Sequence, residues 1–115
     1  MKVKRIVPNV ATKDVAAAKR FYQDLLELDS LMDHGWIRTY GSPQGVQISV
    51  ASEGGSGTPV PDVSIEVDDV DEALARARKL GFAIEYGPAD EPWGVRRFYA
   101  RDPSGKLVNI LSHPR

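Results

Sequence analysis

Residues 93–111 read W-G-V-R-R-F-Y-A-R-D-P-S-G-K-L-V-N-I-L, two runs rich in apolar, aromatic and β-branched residues around Asp102-Pro103-Ser104-Gly105. Alternating faces and a central turn predict a β-hairpin. Pro103 presets φ for a type I turn, and Gly105 takes the left-handed conformation that closes a three-residue loop with a bulge. If Asp102 pairs with Lys106, Tyr99 lies opposite Asn109 and Arg97 opposite Leu111. Phe98 and Ala100 then face Ile110 and Val108. The pattern predicts one apolar face turned to a core and a second, wetter face carrying Arg97, Tyr99 and Asn109.

The same turn occurs 60 residues earlier, where Ser42-Pro43-Gln44-Gly45 precedes V-Q-I-S-V. Residues 36–40 and 46–51 form the matching hairpin. In that register Arg38 would sit on the core face beside Val50. The clash of a charge with a core position points to a bulge or a different register there. Residues 2–10 read as a strand with Pro8 at an edge or bulge. Thr12 caps a helix whose apolar positions, Val15, Ala18, Phe21, Tyr22, Leu25 and Leu26, form one buried stripe. A short strand at 28–32 follows. Residues 52–61, dominated by glycine, serine and proline, are a flexible linker.

The pattern then restarts. Residues 62–67 alternate as a strand, Asp68 or Asp69 caps a helix through Leu80, and Gly81 terminates it. Residues 82–86 form a strand, and a loop at 87–94 leads into the second hairpin. Asp14-Val15 matches Asp69-Val70 at an offset of 55. The offset grows by five residues in the loop bearing Trp93, which is either a functional divergence of the repeat or a surface insertion. The expected fold is α+β, two tandem βαβββ modules at about 3–51 and 62–112 within a single domain of 1–115.

Composition narrows the function. The chain has 115 residues, 42% of them apolar and 27% charged, with a net charge of −1 and no cysteine. Basic residues are dispersed, so no nucleic-acid partner is expected. No run is apolar enough to span a bilayer and no signal peptide is recognisable, so no membrane partner is expected and the cytoplasm is the expected compartment. Disulfides and thiolate chemistry are excluded.

The doubled β-α-β-β-β order, Phe21-Tyr22 late in the first helix, V-D-D-V-D-E-A at 67–73 and R-D-P-S-G-K-L-V at 101–108 together resemble the vicinal oxygen chelate superfamily. That group includes glyoxalase I, extradiol dioxygenases and the fosfomycin- and bleomycin-resistance proteins. The resemblance implies curved mixed sheets with helices outside and a concave cleft inside. It also implies metal ligands on the first and last strand of each module. The equivalent positions here are Val7, Ser49 (or Gln47 on the same face), Asp62 and Asn109. Only Asp62 is a strong ligand, so no metal and no other cofactor is expected.

The resemblance is closest to the metal-free bleomycin-resistance-like branch, and the expected activity is sequestration of a small, toxic or antibiotic-like molecule. The alternative is a metal-dependent lyase, isomerase or dioxygenase, and a third reading is a subunit without a ligand. Candidate ligand-binding residues are Ser49, Asp62, Trp93, Arg97, Tyr99 and Asn109; no catalytic residue stands out. Trp93 is either an aromatic wall for the ligand or a loop anchor. Arg97 either pairs with an anionic ligand or faces solvent or a subunit edge. Asp62 and Glu66 form either a ligand site near Arg97 or a structural ion pair. His34 and the near-terminal His113 read as surface residues. A homodimer is expected, with the first module of one chain facing the second of its partner.

Overall fold

The computed structural model describes residues 1–114, which fall into two units: Val7–Val60, and Met1–Ile6 together with the chain from Pro61 onward. Eight strands are present among the described residues: β1 (Val3–Ala11), β2 (Asp29–Asp33), β3 (Ile37–Gly41), β4 (Gln47–Ala51), β5 (Val63–Val67), β6 (Ile84–Asp90), β7 (Arg96–Arg101) and β8 (Leu107–Ser112). Helix α1 (Val70–Lys79) joins β5 to β6. The fold is α+β and the order of elements repeats. Within residues 7–60 the strands lie β2-β3-β4-β1, with β1 and β4 parallel and the rest antiparallel. In the other unit the start of β1 is followed by β5-β8-β7-β6, with β5 and β8 parallel.

The unit holding β5–β8 is built on its helix. Asp69 caps α1 by accepting from the Glu72 N–H at 3.0 Å. Asp68 instead accepts from the Lys2 N–H at 2.8 Å. The helix ends with Gly81 at φ +85°, Gly81 N–H donating to Arg78 and Phe82 N–H to Ala77, a paired C-cap that satisfies two orphan carbonyls. The inner stripe, Val70, Ala73 and Leu74, packs with Val67, Phe98 and Ala100 into one apolar core, flanked by Ile65, Ala77, Ile84 and Ile110.

The β7–β8 register is the expected one: Tyr99 opposite Asn109, Arg97 opposite Leu111, Phe98 opposite Ile110 and Ala100 opposite Val108. The face expected to be wet is not. Arg97 is 3% exposed, Tyr99 1% and Asn109 7%. Both faces of this hairpin are buried, one against α1 and one in a polar and aromatic layer. Gly105 has φ +86°, and its N–H donates to Asp102 O at 2.9 Å. A Cβ there would meet nothing within 4 Å, so only backbone strain opposes a side chain. Gly105→Val is expected to cost about 1–3 kcal/mol in urea unfolding; a fully tolerated valine would contradict the turn geometry.

In residues 7–60 the first hairpin keeps the same register, with Arg38 opposite Val50 and Thr39 opposite Ser49. The expected bulge is absent from β3–β4. The charge is accommodated because Arg38 pairs with Asp33 at 3.2 Å and its side chain stays one-quarter exposed. The helix after β1 departs from expectation. It is a 3-10 turn, Ala16–Ala18, followed by π-helical Arg20–Leu25, and neither segment buries a residue fully. Leu26 N–H donates to Phe21 O, five residues back. That wider turn breaks the 3.6-residue stripe, leaving Phe21, Leu25 and Leu26 more than half exposed. Tyr22 alone keeps a ring contact inward, stacked at 5.7 Å on the buried Tyr40. Thr12 and Asp14 share the cap, with Asp14 N–H donating to Thr12 and Ala17 N–H to Asp14. The glycine-rich stretch expected as a linker holds a hydrogen-bonded loop, Gly54 N–H to Thr58 O at 2.8 Å and Thr58 N–H to Gly55 O at 3.0 Å, with both glycines buried.

Candidate functional site

The loop expected at 87–94 is mostly strand and turn. Strand β6 runs to Asp90, and Glu91-Pro92-Trp93-Gly94 forms the hairpin turn into β7. Glu91 N–H donates to Val95 O at 2.8 Å and Gly94 N–H to Glu91 O at 3.1 Å, with Gly94 at φ +90°. The turns at Ser42 and Asp102 carry the same pair of bonds. So x-Pro-x-Gly is used three times. The extra residues of the second module are absorbed by a longer β6 with two register shifts, at Ile84/Tyr86 and Tyr86/Ala89.

This turn places Glu91 over Arg97. The Arg97 guanidinium donates through Nε to Glu91 Oε2 at 2.7 Å, with Nη2 2.6 Å from the same oxygen and Nη1 donating to the Tyr99 hydroxyl at 2.8 Å. The Tyr86 hydroxyl donates to both Glu91 oxygens at 3.1–3.2 Å. Three rings surround the cation: the guanidinium carbon is 4.9 Å from the Trp93 and Tyr99 centroids and 5.3 Å from that of Tyr86. Arg97 and Glu91 are almost wholly buried, with side chains 3% and 4% exposed. Trp93, half-buried, therefore lies against Arg97. Arg97 is neither a solvent-facing arginine nor an unpaired anion receptor. Its acid is Glu91, which sequence reasoning missed; Asp62 and Glu66 were the acids expected there.

Asp62 has another role. Its carboxylate accepts from the Leu107 N–H at 2.9 Å, tying the start of β5 to β8. Asn109, further along β8, donates through Nδ2 to the Ser64 hydroxyl at 3.0 Å, while its Oδ1 is buried without a partner. Ser49 belongs to the other unit, where its hydroxyl is 2.7 Å from that of Thr39 and fully buried.

Glu66 is held by Arg5, with Nε 2.5 Å from Oε1, and by His113, with Nδ1 2.8 Å from Oε2. His113, expected as a solvated terminal residue, is thus half-exposed but paired. Burial pushes the Glu66 carboxyl up, but the hydrogen bonds from His113 and Arg5 and their charges outweigh it and hold its pKa below the ordinary value of 4.5. A depressed carboxylate contributes stability above its unfolded pKa and loses it as pH falls through the folded one. Acidification below about pH 4.5 is therefore expected to destabilise the protein, and Glu66→Gln is expected to flatten that part of a thermal-melt pH profile. An unchanged profile in the variant would rule this group out as the cause.

The four positions that the superfamily resemblance marks as metal ligands do not suit a metal. Val7 is apolar and buried, Ser49 is bound to Thr39, Asp62 is committed to a backbone N–H, and Asn109 is a neutral amide. Among the described residues no three or more His, Asp or Glu side chains are grouped to hold an ion. No helix is long and apolar enough to cross a membrane.

Residues 2–110 match the model of the glyoxalase/bleomycin resistance protein/dioxygenase superfamily. No curated protein matches the chain. Among solved structures, one described as NAD-dependent benzaldehyde dehydrogenase from Legionella pneumophila is 16% identical, with a TM-score of 0.78 over 96% of this chain and 100% of that one. A glyoxalase/bleomycin resistance protein/dioxygenase superfamily member from Vibrio splendidus 12B01 is 16% identical, with a TM-score of 0.68 over 98% and 100%. Methylmalonyl-CoA epimerase from Mycobacterium tuberculosis is 18% identical, with a TM-score of 0.68 over 98% and 88%. At these identities the likeness is one of fold.

Proposed function

Because the chain belongs to the glyoxalase/bleomycin resistance protein/dioxygenase superfamily, we propose that it is a metal-free small-molecule binding protein of the bleomycin-resistance type, sequestering a toxic or antibiotic-like ligand. One observation carries this reading. The side chains at the superfamily's ligand positions are apolar, neutral or already committed to the protein's own backbone and hydroxyls. Such a donor set retains a fold suited to enclosing small molecules but lacks the imidazoles and free carboxylates that divalent metals require. The layer of Tyr86, Trp93, Arg97, Tyr99 and Asn109 supplies the mixture of aromatic surface and few polar groups that small-molecule sites use.

The reading includes a homodimer in the cytoplasm. Apolar side chains left exposed on the helical segment and neighbouring strands of residues 7–60, Phe21, Leu25, Leu26 and Leu31, support the dimer. Sedimentation at micromolar concentration checks it. Purified protein is expected to carry no stoichiometric zinc, nickel, iron or manganese by elemental analysis. Some members of a neutral and charged small-molecule library are expected to shift tryptophan emission. A metal content near one per chain would overturn the reading in favour of a metal-dependent lyase, isomerase or dioxygenase, the class to which an epimerase activity belongs. A library without hits would leave a subunit with no ligand of its own.

A further inference from the structure

Resting on that binding function, we propose that the ligand presents an uncharged hydrogen-bond donor, an alcohol, phenol or amide N–H, to Asn109 Oδ1, and not a carboxylate or phosphate to Arg97. Two independent observations lead there.

The first is the state of the cation. Among the described residues Arg97 is the one lysine or arginine in the buried set. An anion entering this layer would be drawn to it. Yet Glu91 already neutralises it through two contacts of 2.6–2.7 Å, and the Tyr99 hydroxyl takes Nη1. Three aromatic rings, Tyr86, Trp93 and Tyr99, crowd within 5.3 Å of the guanidinium carbon. Admitting a second anion would require Glu91 to leave or two carboxylates to share one cation in a dry site, where like charges strongly disfavour each other. The layer is electrically closed.

The second is an unmet acceptor. In this unit Asn109 Oδ1 is the one buried side-chain polar atom, among the described residues, that lacks a partner. The other end of the amide is fixed, Nδ2 donating to Ser64 at 3.0 Å. Asn109 is 7% exposed and stands opposite Tyr99 across the β7–β8 ladder, so the free acceptor lies beside the aromatic layer. A buried acceptor left unpaired is costly, and the cost is recovered when a donor arrives. The oxygen has under 1 Å² of accessible surface, so a ligand reaches it by displacing a neighbouring side chain. A ligand with an aromatic body and a neutral donor satisfies the amide and leaves the Arg97–Glu91 pair intact.

The test uses two matched probe sets on the full chain: phenol, benzyl alcohol and benzamide against benzoate and phenyl phosphate. Nitrogen-15 spectra follow the Asn109 side-chain amide and the Arg97 Nε–H. The neutral set is expected to move the Asn109 amide and leave Arg97 unmoved. Asn109→Leu is expected to weaken that binding about tenfold, the loss of one neutral hydrogen bond. Anionic probes that bind and shift the Arg97 signal would overturn this inference while leaving small-molecule binding in place. Neutral binding indifferent to Asn109→Leu, or wild-type spectra in which neutral probes move other signals only, would also overturn it. Silence from both sets at millimolar concentration counts against it too, while the wider library judges the binding function independently.

Discussion

Arg97→Met is expected to lose about 3–5 kcal/mol of unfolding free energy, the usual cost of removing one partner of a buried ion pair. The cause is the residue left behind. Glu91, with its side chain 4% exposed, would keep its charge with only the Tyr86 hydroxyl donating to it among the contacts described above. The double variant Arg97→Met, Glu91→Leu removes both charges and is expected to regain much of the loss, since apolar replacements of comparable volume are often neutral. Urea denaturation of the single and double variants measures both claims. A single variant within 1 kcal/mol of the parent, a margin typical of exposed pairs, would show that the pair is solvated and not the closed layer described.

Phe98→Ala is the second large effect, expected at about 3–5 kcal/mol in the same assay. Phe98 is 0% exposed and lies in the core formed with α1, among Val67, Val70, Ala73, Leu74 and Ala100. Its ring is enclosed by a helix and a sheet, which collapse only partly over the space left. The equivalent residue of the first hairpin gives an internal control. Arg38 pairs with Asp33 and keeps a quarter-exposed side chain. Arg38→Ala is expected to cost about 1 kcal/mol or less, as partly exposed ion pairs do. Equal losses at the two sites would mean that the repeated backbone carries equivalent cores, contrary to the packing seen.

Local chemistry made much of this fold readable in advance. With Asp102 paired to Lys106, the Asp102-Pro103-Ser104-Gly105 turn sets Tyr99 against Asn109, and this is the register found. An aspartate, Asp68 or Asp69, ahead of an apolar stripe at helical spacing marked the start of α1, and the structure makes Asp69 the cap. The same turn logic applied to Glu91-Pro92-Trp93-Gly94 would have paired Ala89 with Arg97 and set Glu91 beside the guanidinium. The signal was present, but the growth of the repeat offset by five residues made this stretch look like an inserted loop.

Other features had no local signal. His113 meets Glu66 across 47 residues, a distance at which spacing carries no information. The helix after β1 has a sound amphipathic pattern, yet the wider π turn scatters its apolar positions, and nothing in the side-chain order announces that change.

The thrice-used turn also bears on how quickly the chain reaches this structure. Each x-Pro-x-Gly segment joins two neighbouring strands, so β3–β4, β6–β7 and β7–β8 zip from closures only a few residues long, events on the order of microseconds. The parallel pairs are different. Ser64 joins Asn109 across 45 residues, and no turn brings β5 to β8. Loop-closure entropy falls on those steps. The β3–β4 hairpin and the β6–β7–β8 meander are expected to form early, and the rate of folding to be set by docking β5, carrying α1, onto strands already paired. Substitutions at Asp62 or Ser64, which fasten the parallel ladder, are therefore expected to slow folding as β5 docks, in stopped-flow refolding.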